Sequence, residues 1–309
     1  MNAAIIFGIL LLLMLTGMPI SISLGLTVLS FLFTMTEVPL ESVALKLFTG
    51  IEKFEIMAIP FFILAGNFLT HGGVAKRMIN FATSMVGHWY GGLGLAGVMA
   101  CALFAAVSGS SPATVVAIGS ILLPAMVRAG FPNKFGAGII TTAGALGILI
   151  PPSIVMVMYS VTTNTSVGAL FMAGVIPGLL LAFMLGLCTW YVARKNNYPT
   201  LPRTSWTKRV KHFRKAFWGL MLIVVVMGGI YSGMFTPTEA AAMSAVYAFF
   251  IAVFVYKDLS FKQIPRVLLD SANMSAMLLF IIASAVLFSF FLTSEQIPQR
   301  MADAIVASG

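Results

Sequence analysis

Phe135–Ala193 reads FGAGIITTAGALGILIPPSIVMVMYSVTTNTSVGALFMAGVIPGLLLAFMLGLCTWYVA, without a single Asp, Glu, Lys or Arg. A helical crossing of a bilayer takes about 20 mainly apolar residues, so this stretch has room for two or more. In hydrocarbon every backbone N–H and C=O must be paired from within, which leaves helices or a closed barrel. Barrel strands alternate apolar and polar residues over about 10 positions, and this run does not alternate. The sequence therefore predicts an all-α integral membrane protein.

The same reading extends outward. No charged residue occurs between His88 and Val127. Over the whole chain 60% of residues are hydrophobic and 9% are charged, against about 25% charged in soluble domains. The formal net charge is +9, and its placement says more than its size. Arg194, Lys195, Arg203, Lys208, Arg209, Lys211, Arg214 and Lys215 fall in one short acid-free stretch between apolar segments. A nucleic-acid patch is the competing reading, but the positive-inside rule accounts for such a connector and places it in the cytoplasm. Cys101 and Cys188 both lie in apolar runs and give neither a disulfide framework nor a metal site. The N-terminus is long and continuously apolar, with no basic leader, and reads as the first membrane helix rather than a cleaved signal.

Helix one is expected over Ala4–Phe33 with a bend at Pro19. An interfacial helix is expected in Pro39–Phe54, and a crossing over Glu55–Leu69 closed by His71-Gly72-Gly73. Val74–Val86 is amphipathic, Trp89 and Tyr90 suit headgroup level, and Gly91–Val107 is a small-residue helix fit for close packing. Ser108–Gly130 opens on SGSSP and suits a re-entrant hairpin as well as a crossing. The helix from Phe135 should break at Pro151-Pro152, since consecutive prolines remove two donors. Further crossings are expected at Val167–Val192, Phe217–Met234, Ala240–Tyr256 and Met274–Leu292, with an interfacial stretch at Phe261–Leu269.

The two ends of the chain echo one another. Phe68-Leu69-Thr70 and Arg77-Met78 recur as Phe291-Leu292-Thr293 and Arg300-Met301, at an offset of 223. Pro19 has a counterpart in Pro237 at an offset of 218. Paired halves are a usual plan of secondary transporters. Second copies of the Ser108 hairpin and of the proline break would fall past Gly309, so a truncated chain is expected.

Two interrupted segments carry the chemistry. In Ser108-Gly109-Ser110-Ser111-Pro112, hydroxyls and freed carbonyls can replace the hydration shell of a small cation. Ser111-Pro112 also resembles a helix start, whose free amides favour a carboxylate. An ordinary kinked helix is the alternative. Thr141-Thr142-Ala143-Gly144-Ala145-Leu146-Gly147 leads into the proline break, where Leu149 and Ile150 offer only carbonyl oxygens. Asn67, Thr70 and His71 read as caps, Asn164 as a gate or a loop, and Glu239 as a first-turn acid after Pro237. Asp270 and Asn273 border a crossing and stay ambiguous. The sequence holds no HExxH, phosphate loop, dinucleotide fingerprint or paired-Cys motif, so an enzyme is not expected.

SGSSPATVVAIG at Ser108–Gly119 and GALGILIPPS at Gly144–Ser153, with Met18-Pro19, Ala58–Gly73 and Thr236-Pro237-Thr238-Glu239, resemble the large membrane subunit of the tripartite ATP-independent periplasmic transporters, the branch serving C4-dicarboxylate and sialic-acid uptake. The resemblance covers essentially the whole chain. It implies an elevator-type secondary transporter with inverted repeats, a re-entrant hairpin and a discontinuous helix, in the bacterial inner membrane. It also implies sodium (Na+) coupling with no other cofactor, a small membrane subunit, and a periplasmic binding protein that delivers the substrate. Carried onto this sequence, it implies a sodium site from Ser108, Ser111, Gly147, Ile150 and Pro152, with Ser110 and Thr142 near the substrate carboxylate. Lys76 and Arg77 belong with the scaffold. The implied organisation is 1–107 scaffold and arm helices, 108–166 a transport half, 167–193 a membrane helix, 194–216 the basic cytoplasmic loop, and 217–309 the incomplete second repeat. A single-component sodium/dicarboxylate symporter and a non-transporting structural subunit are the alternatives.

Overall fold

The computed structural model describes residues 2–35 and 40–308, which are helices joined by turns with no strand among the described residues. Pro39, the start expected for the interfacial stretch, lies outside them. In chain order the α-helices are α1 Asn2–Leu15, α2 Ile20–Met35, α3 Leu40–Thr49, α4 Ala58–His71, α5 Val74–Val86, α6 Gly92–Ser108, α7 Ser111–Arg128 and α8 Asn133–Gly144. They continue with α9 Leu146–Leu149, α10 Ile154–Thr163, α11 Val167–Lys195, α12 Trp206–Tyr231, α13 Pro237–Phe250, α14 Ile264–Ser294 and α15 Ile297–Ser308. Among the described residues, six helical segments are long and apolar enough to cross a membrane, including Val167–Lys195 and Phe261–Ser294. The pair Asn133–Leu149 and Ile154–Thr163 is bent by 42° at its break, and counted as one span it would be a seventh.

Local chemistry explains most of these limits. Where one bent helix was expected over Ala4–Phe33, there are two. Gly17 adopts φ +83° and ends α1 before Pro19, which has no amide to extend the ladder. Thr27 and Thr70 donate to the carbonyls of Ser23 and Gly66, each at 2.7 Å, so these hydroxyls are satisfied inside their own helices. Asn67, expected as a cap, instead donates to Ser271 Oγ at 2.8 Å. Thr236 and Glu239 form a capping box at the start of α13, where Glu239 Oε2 accepts from Thr236 N at 2.8 Å. α12 starts at Trp206, well inside the basic stretch and ahead of the expected Phe217. Arg and Lys are good helix formers, so charge does not stop it.

Contacts divide the chain into two compact units, Phe54–Asn273 and Met1–Lys53 with Met274–Gly309. Within the first, Arg77 on α5 pairs with Asp258, donates to Gly73 O at 2.9 Å and lies 3.9 Å from the centroid of the Tyr256 ring. The Tyr256 hydroxyl donates to Lys215 O at 2.7 Å and accepts from Gly219 N at 3.3 Å, tying α12 to the same corner. Burial raises the Tyr256 pKa despite the opposing Gly219 hydrogen bond and Arg77 charge.

One aromatic contact recurs in both units. Phe68 on α4 meets Phe249 on α13 with ring centroids 5.4 Å apart and planes at 65°. Phe31 on α2 meets Phe291 on α14 at 5.0 Å and 66°. Phe249 follows Phe31 by 218 positions and Phe291 follows Phe68 by 223, the two offsets of the sequence echo. The turns agree as well. Gly73 before α5 and Gln296 before α15 both have positive φ, again 223 apart. Each unit therefore pairs a helix from the first half of the chain with a helix from the second.

Edge-to-face pairs contribute about 0.5–1.5 kcal/mol beyond their buried area. Double-mutant cycles of Phe31 with Phe291 and of Phe68 with Phe249, read by thermal unfolding in detergent, should each give a coupling of about 1 kcal/mol. Equivalent positions should give equal values, whereas coupling in only one unit would contradict the repeat.

Candidate functional site

The site forms where a helical turn meets a helix break. α6 ends at Ser108, Gly109 turns in the left-handed region at φ +63°, and α7 starts at Ser111. α6 and α7 are thus the two limbs of a hairpin with its tip at Gly109. Ser110 caps α7, accepting weakly from Ala113 N at 3.5 Å. Opposite the tip, α9 ends at Leu149 and α10 begins at Ile154, with Pro151-Pro152 between them in a cis peptide bond. The helical donors for the carbonyls of Gly147 and Ile148 would be the amides of residues 151 and 152. Both are prolines, so those carbonyls have no partner along the helix.

Close approach joins the two elements. Gly109 O accepts from Ile154 N at 3.0 Å. A Cβ on Gly109 would sit 2.8 Å from Pro152 O, and one on Gly147 would sit 2.9 Å from Ser111 N. Neither position tolerates a side chain. Neighbouring helices back the junction, with Gly66 of α4 against Ser108, and Gly174 and Gly178 of α11 against Leu149 O and Ile150.

The hydroxyls divide into satisfied and unsatisfied sets. Ser108 is fully buried, and its Oγ lies 3.1 Å from Thr114 Oγ1, which donates to Ser110 O at 2.8 Å. Ser111 Oγ and Ser153 Oγ are buried without any protein hydrogen-bond partner. Ser153 is fully buried and stands at the start of α10 without acting as its cap. Buried polar atoms are normally paired, so two orphans at one junction call for an explanation. The N-terminus of α7, with its positive dipole end, points into the same place.

Of the residues expected at the sodium site, Ser108, Ser111, Gly147 and Pro152 converge on this junction through the contacts above, and Ile150 lies in the break itself, packed on Gly178. Ser110 is at the tip. Thr142 is exposed on α8, two turns before the break. It lines a separate cavity of about 290 Å³ with Lys134, Gly138, Cys188 and Thr189, which Ser110 does not reach. Among the described residues no cluster of His, Cys, Asp or Glu could hold a metal ion. Sequence reasoning did not pick out Thr114 or Ser153. The turn-apart spacing of Ser110 and Thr114 was the available signal for the first. For the second it was a lone hydroxyl just after two prolines.

The sequence matches the profile of the family described as the tripartite ATP-independent periplasmic transporter, DctM component, over residues 7–309. The chain belongs to this family. A C4-dicarboxylate TRAP transporter large permease protein of Rhodobacter capsulatus is 72% identical over 323 residues, covering 100% of this chain and 73% of the relative. The Pseudomonas aeruginosa protein of the same description is 54% identical, covering 93% of this chain and 67% of the relative. A sialic acid TRAP transporter large permease protein of Vibrio cholerae is 38% identical, covering 94% and 68% respectively. Membership of the DctM-component family makes the chain a transporter permease rather than an enzyme, and with its apolar spans a multi-pass inner-membrane protein.

Thr114 anchors the tip by serving two buried groups at once. Thr114→Val keeps the shape and the amide bond from residue 114 to Ser110 O, but takes away the hydroxyl beside the buried Ser108 Oγ, at a cost of about 1–3 kcal/mol. Thermal unfolding in detergent should show that loss, with Thr114→Ser close to the parent protein.

Proposed function

We propose that the Gly109 tip and the Pro151-Pro152 break form the first-half sodium and carboxylate site of an importer for a small organic acid. The observation that carries this reading is the pair of orphaned buried hydroxyls, Ser111 Oγ and Ser153 Oγ, beside a Gly147 carbonyl that has no helical donor. A cluster of oxygens with nothing to donate to them suits a small cation stripped of its water. Ser108, Ser111, Gly147, Ile150 and Pro152 would supply the sodium ligands. The α7 amides behind Ser110 would face the substrate carboxylate, and Thr142 would stand on its path. The sodium gradient would supply the work of import.

The moving part of an elevator-type cycle would be the transport half at 108–166 together with α6, since α6 is the other limb of the same hairpin. A small membrane subunit and a periplasmic binding protein that delivers the substrate complete the system. A C4-dicarboxylate is the favoured substrate, because the relatives sharing 72% and 54% identity carry that description.

The test is sodium-dependent uptake by the complete transporter in proteoliposomes, supplied with its small subunit and binding protein. Ser111→Ala and Gly147→Val should each lower uptake at least tenfold at unchanged protein content in the membrane. Near-normal uptake by both variants would reject the site. Uptake that persists with potassium in place of sodium would reject the coupling ion alone.

A further inference from the structure

A second feature lies on the outer side of the same hairpin, where α6 runs beside α11. An apolar trough of about 450 Å³ opens there, lined by Leu95 and Ala102 of α6 and by Ala182, Gly186 and Trp190 of α11, with Trp89 at one end. Ala102, Ala182 and Gly186 leave room among the larger Met99, Phe183 and Leu187. A Cβ on Gly186 would meet nothing nearer than Leu95 Cδ2 at 3.9 Å, so the space above Gly186 is open. From Ala182 to Trp190 the helix rises about 12 Å, which fits within half of a bilayer core about 30 Å thick.

The Trp end of the trough is cationic. The Arg194 guanidinium lies 5.3 Å from the centroid of the Trp190 ring, and Lys195 beside it is exposed. Backbone contacts hold Trp89 level with this end. Gly91, at φ +68°, stands so close to α11 that a Cβ there would lie 2.3 Å from Ala193 Cβ. Leu201 N donates to Gly87 O at 3.0 Å, which brings the basic connector back over the Trp89 turn. No acid occurs from Arg194 through Lys215.

An apolar trough with two indole rings and two cations at one end matches a molecule with a hydrocarbon tail and an anionic head. A transmembrane helix about 10 Å across would displace about 900 Å³ over the same 12 Å, roughly twice the space present. We propose that this trough binds an anionic phospholipid of the cytoplasmic leaflet. One acyl chain lies along Ala182 and Gly186, and the phosphate rests on Arg194 and Lys195 between the indoles.

Quenching of tryptophan fluorescence by brominated lipid tests this directly. Trp206→Phe and Trp218→Phe leave only Trp89 and Trp190 as reporters. The delipidated chain is reconstituted in phosphatidylcholine vesicles containing graded fractions of acyl-brominated phosphatidylglycerol or acyl-brominated phosphatidylcholine. Half-maximal quenching should need at least a fivefold smaller fraction of the phosphatidylglycerol. Arg194→Gln with Lys195→Gln should bring the two midpoints together, and Gly186→Phe should weaken quenching by both lipids. Circular dichroism and elution volume confirm that each variant is folded. Equal midpoints in the parent protein, a preference that survives the double Gln variant, or quenching unchanged in a folded Gly186→Phe protein would each overturn the proposal.

Discussion

A helix inside a membrane has to satisfy its carbonyls from within, and at residues 151 and 152 this one supplies no donors. The surroundings of the break follow from that deficit. Ile154, two residues past the prolines, gives its amide hydrogen bond to Gly109 O and so ties the hairpin tip to the break. Close contact between two backbones then requires Gly109 and Gly147, where even a methyl group would collide. The helices behind come in equally close at Gly66, Gly174 and Gly178. Small residues at these points do what they do in membrane proteins generally, where tight backbone packing replaces a hydrophobic driving force between helices.

The break was legible because missing donors are a property of the residue type alone. So was the start of α13, where Thr, Pro and Glu stand in fixed register for a capping box. The residues of the proposed sodium site were legible only in part. Ser111 could be named from its place before a proline, whereas Thr114 and Ser153 offered only a turn-apart spacing from Ser110 and a hydroxyl after two prolines. Such signals are weak beside hydroxyls like Thr27 and Thr70, which merely bond back to their own helices. What separates them is the environment supplied by other segments. Helix limits failed where composition misled. The basic residues before Phe217 read as a loop but fold as the first turns of α12.

α6 connects the two proposed surfaces. Its last residues form the turn against the proline break, and its middle forms one wall of the apolar trough. The helix is buried along most of its length, whereas α11 opposite presents Leu179, Leu180, Phe183 and Leu187 outward. A buried strut beside an outward-facing helix suits a part that keeps its shape while its surroundings are fluid.

The crossed aromatic pairs also bear on how the chain is made. Phe31 leaves the ribosome long before Phe291, and at about 5–20 residues per second the wait is on the order of tens of seconds. Phe68 waits similarly for Phe249. In water such a delay would leave sticky surfaces open to the wrong partner. In hydrocarbon it costs little, because lipid tails solvate an orphaned phenylalanine nearly as well as its eventual neighbour does. Insertion and assembly can therefore be separated in time, with each early helix parked in the bilayer until its late counterpart arrives.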